Sequence, residues 1–250
     1  VRGLALLALA TLGSACAHLV PAEPLIDPGA PAEARPLAAT ELVERLTRAR
    51  SFLETVEAYR CRLEARERIG DVLVAKVLDL TLGHRPFRMA FELLPPSAEA
   101  GQKVFWDESW NDGELWVIPP GLAGALLGHL SLDPHGKLAG KGQRHPVTDI
   151  GLLRLVEQVE ARWKDAAARD AKAWSVSTRL ADRPATLIGF SASGPEGALE
   201  HVRVGLDDAL GIPVYSALER ATPEGDLLLE EYLYRDLEWT GDLAEGAFRP

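Results

Sequence analysis

The 250 residues are 47% hydrophobic and 26% charged, with 27 Lys and Arg against 37 Asp and Glu for a formal net charge of −10. This length and balance describe one large globular domain or two small ones and exclude wholesale disorder. The acidic charge, with no basic stripe to offset it, excludes nucleic acid and argues against adhesion to an anionic membrane surface.

Arg2 precedes an apolar run over residues 4–12. So short a run cannot span a bilayer, which takes about twenty residues, and residues 1–17 read as a secretory signal. Gly13-Ser14-Ala15-Cys16 reads as a lipobox lacking its usual leucine, with Cys16 acylated as the new N-terminus. Ordinary cleavage after Ala17 is the alternative. Residues 18–39 hold five prolines and no periodicity. They read as a stiff solvated linker, reaching about 60 to 70 Å if fully polyproline-like. The implied setting is the bacterial cell envelope, on the periplasmic side, with a membrane anchor at Cys16. Cys61 lies in a strand pattern and is expected to be an unpaired, buried thiol.

The folded domain is expected over residues 40–250. Thr40 is placed to cap a first helix, whose apolar stripe is Leu42, Leu46, Ala49, Leu53 and Val56. The period then changes to two. Tyr59, Cys61, Leu63 and Ala65 alternate with Arg60, Arg62, Glu64 and Arg66. After a turn at Gly70-Asp71, Leu78, Leu80 and Leu82 share a face, as do Phe87, Met89, Phe91 and Leu93 before Pro95-Pro96. Asn111-Asp112-Gly113 predicts a hairpin carrying Trp106, Trp110 and Trp116. These rings read as core packing or as an aromatic rim on a cavity. Residues 121–130 are apolar and glycine-spaced, suited to a flap, a partner contact or a short buried helix.

Residues 144–163 predict a central amphipathic helix. Leu152, Val156, Val159 and Trp163 line one face, Pro146 stiffens the approach, and Thr148 or Asp149 is positioned to cap it. Short strands with turn signals follow to residue 239. The sum is nine to eleven strands and three helical pieces, an α+β domain built on an antiparallel sheet.

Catalytic motifs are missing. Gly189-Phe190-Ser191-Ala192-Ser193 lies in a strand hairpin and ends in serine, unlike a nucleophile elbow. Residues 136–142 are one short of a P-loop, and no zinc-type His or Cys pairs occur. Glu230 and Glu231 are adjacent in a strand, so they face opposite ways and form no acid/base dyad. Asp133, His135, His145 and Asp149 could form a mixed metal site, but Asp133-Pro134-His135-Gly136 reads more simply as a turn, with Arg144 and His145 organising the approach to the helix.

Residues 59–68, Arg85-Pro86-Phe87, Asn111-Asp112-Gly113, residues 131–136 and residues 144–151 together resemble the bacterial domain-of-unknown-function family 1571. The Arg144-His145-Pro146 run with Asp149 and Gly151 is its specific structural motif. That domain is similar to the outer-membrane lipoprotein-carrier fold. The resemblance implies a single strongly curved antiparallel sheet, a half-barrel, wrapped around a few helices and enclosing an apolar cavity for acyl chains. It implies cavity-lining roles for Leu78, Leu80, Met89, Phe91, Trp106 and Trp116, and an exposed delivery loop at residues 121–130. It implies no catalytic residue and no cofactor. The expected function is a monomeric, non-enzymatic lipoprotein that binds a lipid, an acylated protein or another hydrophobic ligand. A structural or regulatory interaction module is the alternative, and a metal-dependent hydrolase at His135 and His145 a third reading.

Overall fold

The computed structural model describes residues 24–26, 33–140, 142–241 and 243–250. The expected signal sequence and Cys16 lie outside these residues. The two-residue alternation becomes strands β1 (Arg35–Leu37), β2 (Ala58–Ile69), β3 (Val72–His84), β4 (Phe87–Leu94), β5 (Lys103–Asp107) and β6 (Leu115–Ile118). The series continues with β7 (Leu130–Leu132), β8 (Ala173–Leu180), β9 (Arg183–Ser193), β10 (Leu199–Asp207), β11 (Pro213–Thr222) and β12 (Gly225–Thr240). The helices are α1 (Ala39–Leu53), α2 (Gly121–Leu127) and α3 (Leu152–Ala167).

All twelve strands join one open antiparallel sheet in the order β1-β8-β9-β10-β11-β12-β2-β3-β4-β5-β6-β7. The edges, β1 and β7, have three residues each, too few for an alternation to show, which is why the sequence yields a lower count. Register breaks at Gly205/Leu206, Leu218/Glu219 and Arg235/Glu238 bend β10, β11 and β12, as bulges do. The sheet is strongly curved, and its concave face holds α1 and α3.

Folded structure starts before residue 40. Arg35 pairs with Ser175 and Leu37 with Ala173, while Leu25 and Ile26 pack against the core. Thr40 lies inside α1 and caps nothing; the Ala38 carbonyl accepts the Leu42 N–H at 3.1 Å. Likewise, residues 144–151 are not helical throughout. They contain a 3-10 turn, Val147–Asp149, and the α-helix begins only at Leu152.

The expected stripe of α3 is buried in full, with Leu155 and Ala166 added to it. Leu152 meets β2 through Tyr59, and Trp163 meets β9 edge-on through Phe190, at 5.2 Å between ring centroids. Leu152 to Trp163 covers about 16 Å of helix, comparable with the roughly 19 Å of four strand spacings from β2 to β9. The helix therefore crosses the strands from β2 to β9. An ion pair between Arg50 and Glu160 ties α1 to α3. Trp163→Ala leaves a cavity where helix and sheet meet, and is expected to cost about 3–5 kcal/mol, read from urea unfolding.

Candidate functional site

Two glutamates set the chemistry of the concave face. Glu230 on β12 is the cross-strand partner of Glu67 on β2, and both are buried, at 7% and 6% exposure. Directly opposed like charges are destabilising, so each needs its own donors. The Tyr232 hydroxyl donates to Glu67 at 2.6 Å, and Lys76 Nζ lies 3.5 Å from the same carboxylate while donating to the Gly142 carbonyl at 2.7 Å. Arg144 Nε and His145 Nε2 each lie 2.8 Å from Glu230 Oε2. Burial pushes Glu230 up, but the hydrogen bonds and charges of His145 and Arg144 outweigh it and hold the carboxyl below the usual range. The hydrogen bond to Glu230 raises His145 in turn, against the opposing effect of burial.

The same segment reaches α3 through two tyrosines. The Gly151 N–H donates to the Tyr234 hydroxyl at 3.2 Å and the Leu152 N–H to the Tyr59 hydroxyl at 2.9 Å. These phenols satisfy amides at the helix start that lack partners within the helix. Thr148 and Asp149 do not cap it. Burial raises both tyrosines, so they stay protonated. Gly151 sits at φ 120°, and a Cβ there would lie 2.7 Å from Leu82 Cδ1 and 3.2 Å from the Tyr59 hydroxyl.

Between this segment and the sheet is a half-open cavity of about 90 Å³. Leu63, Leu78, Phe91, Ile150, Leu155 and Tyr234 give it apolar walls, with Glu67, Lys76, His145 and Asp149 adding polar groups. Beside it, α1 and α3 bury their apolar faces against the core. Of the six predicted cavity residues, Leu78 and Phe91 line it. Leu80 and Met89 are sealed in the core at 1% and 0% exposure. Trp106 is buried too, its Nε1 donating to the Gly113 carbonyl at 3.0 Å. Trp116 faces outward, stacked on His129 and 5.2 Å from Trp110. From the motif, His145, Pro146, Asp149 and Gly151 line the cavity, and Arg144 holds Glu230.

Sequence reasoning missed Glu67, Lys76, Tyr232, Tyr234 and the inward role of Glu230. The readable signal was Glu67, which continues the inward row Tyr59, Cys61, Leu63, Ala65 with a charge. His135 does not join His145: its N–H is held by Asp133 Oδ1 at 2.9 Å within the expected turn. Among the described residues, no three His, Cys, Asp or Glu side chains gather for a metal ion. Helix α2 does not line the cavity. Leu122 and Leu126 stand out from it at 81% and 84% exposure, so it is neither a flap over the cavity nor a buried helix.

The clamp makes stability pH-dependent. His145, raised in the fold, contributes fully below its ordinary value of 6.5 and loses that contribution as pH rises through the raised one. Glu230, lowered in the fold, contributes above its ordinary 4.5 and loses it as pH falls through the lowered one. Unfolding free energy is expected to fall as pH rises from the ordinary histidine value of 6.5 through the raised one, and His145→Gln should flatten that slope relative to the parent chain in urea titrations. Gly151→Ala should cost about 1–3 kcal/mol by backbone strain and crowding, measured in the same way.

The profile of a family described as proteins of unknown function, DUF1571, matches residues 56–250. Among curated proteins, none matches the chain. Solved structures that align with it include the Pseudomonas aeruginosa MucA/MucB complex, at 17% identity and TM-score 0.43, over 85% of this chain and 60% of that one. The Mycobacterium tuberculosis lipoprotein LppX aligns at 8% identity and TM-score 0.48, over 83% and 99% of the two chains. A LolA superfamily protein from Nitrosomonas europaea aligns at 16% identity and TM-score 0.42, over 83% and 97%. The chain thus spans less than two thirds of MucB. No ligand or partner follows from likenesses at these scores. The family match takes in every strand from β2 to β12 and the whole 144–151 segment, and the chain belongs to the DUF1571 family.

Proposed function

We propose that this protein is a non-enzymatic binding protein of the cell envelope that takes the apolar end of an amphiphile, a lipid or an acylated protein, into the concave pocket. The supporting observation is the pocket itself, with apolar walls at Leu63, Leu78, Phe91 and Leu155 and a charged margin at Glu67, Lys76 and His145. About 90 Å³ is less than the roughly 150 Å³ of an engineered cavity that takes up one benzene, so a longer tail needs the 143–151 wall to swing outward. Opening costs on the order of 3–5 kcal/mol if the buried Glu230 pair is broken. Burying five or six methylenes, at about 0.8 kcal/mol each, offsets that. In this reading the wall is a gate and the Glu230 clamp its latch. The apolar run over residues 4–12 and Cys16 support an acylated tether to the membrane.

The exposed Leu122 and Leu126 favour a second reading, a module that contacts another envelope protein through α2. A fluorescent fatty acid titrated into the purified chain separates the two. Leu78→Trp, which fills the pocket, should weaken binding at least about tenfold, and Leu122→Ser should leave it unchanged. Binding that ignores Leu78→Trp, or no binding at all, removes the pocket reading. Intact-mass analysis of the membrane-extracted protein checks acylation at Cys16.

A further inference from the structure

Glu230 and Glu231 are neighbours on β12, so they point to opposite faces of the sheet, and the pocket uses only the first. Glu231 has 0% exposure on the outer face, and so does Tyr215 beside it. Its Oε2 accepts the Leu25 N–H at 2.6 Å, while its Oε1 accepts the Ile26 N–H at 3.3 Å and the Tyr215 hydroxyl at 2.7 Å. Burial and the nearby Glu231 charge raise Tyr215, which keeps its proton to donate. The side chains of Leu25 and Ile26 pack against the core.

This contact is unlike the rest of the sheet. Strand β1 joins by pairing backbone with backbone, whereas residues 25 and 26 are held through one side-chain carboxylate. Two consecutive N–H groups are what it reads, and the chain bends at Leu25 and Ile26 so that both reach the one carboxylate. The sequence frames these donors with Pro24 and Pro28, which have no N–H of their own to compete for it. A carboxylate without exposed surface cannot be left bare cheaply, so whatever displaces this strap must bring equivalent donors.

We propose that the outer face of β11 and β12 is a second binding site, for a bent, proline-framed peptide with two consecutive apolar residues, which residues 24–26 occupy in cis. A partner segment of that chemistry would take over the Glu231 and Tyr215 contacts and free the chain ahead of β1 from the sheet. The tethered strap competes at an effective concentration on the order of millimolar. A free peptide with an intrinsic Kd of about 10 µM would then bind the intact chain roughly a hundredfold more weakly. The site is independent of the concave pocket, and the test leaves that pocket untouched.

The test uses the full chain and a fluorescein-labelled, capped Pro-Leu-Ile-Asp-Pro peptide, followed by anisotropy. Leu25→Pro/Ile26→Pro removes both strap donors and should bind the peptide at least about tenfold more tightly than the parent chain. Adding Glu231→Ala to that variant should abolish the gain. Equal affinity for parent and variant, or binding that survives without Glu231, overturns the proposal. A second measurement needs no substitution. The Leu25 and Ile26 amides of the parent should be protected from hydrogen exchange and lose protection as unlabelled peptide is added; rapid exchange without peptide overturns the proposal as well.

Discussion

Two like charges placed opposite each other inside a sheet govern how the concave side is built. Glu67 and Glu230 cannot both stay ionised and buried unless cations and hydroxyls come to them. Only Lys76 and Tyr232 are supplied by the neighbouring strands; Arg144 and His145 arrive from a segment that crosses the hollow. The carboxylates therefore fix where residues 144–151 run. That path brings Gly151 under Tyr59 and Tyr234, and α3 starts from there.

A cluster of this kind adds little to net stability, since well-packed apolar groups often do as well as buried ion pairs. Its effect is on position. The apolar stripe of α3 could slide along a greasy sheet at small cost, but two amides seated on two phenols cannot. The tyrosines answer an unusual helix start, one where neither Thr148 nor Asp149 supplies the cap and the residue before the helix has a left-handed φ. Glycine is required at 151 because a side chain would strike Leu82 and the phenol that holds the next amide.

Much of this was legible in the sequence. Alternation placed the strands and their inward rows, and the spacing of Leu152, Val156, Val159 and Trp163 identified the helix that crosses the strands. The same rules put Glu230 and Glu231 on opposite faces, where the structure has them. The cap was not legible, because Tyr59 and Tyr234 lie 93 and 83 positions from the amides they receive and local patterns carry no long-range pairing. The resemblance implied cavity roles for Leu78, Leu80, Met89, Phe91, Trp106 and Trp116. Register keeps Leu80 and Met89 on the face of Leu78 and Phe91, where packing rather than direction seals them in the core, and turns only Trp116, the partner of Phe105, outward. The three-residue edges and the strap at Leu25 and Ile26 gave no periodic signal at all.

The division of labour between the two sides of β12 follows from one dipeptide. Because the side-chain period of a strand is two, adjacent glutamates cannot share a task, and each buried carboxylate recruits a different stretch of chain to its own face. Inside, side-chain cations bind Glu230, so their hold depends on protonation and is open to pH. Outside, backbone amides and a phenol bind Glu231, and these groups do not titrate in the physiological range. The inner contact responds to charge and the outer one to competition for donors. A single strand thereby couples two elements, the pocket wall and the strap, to two different chemical inputs.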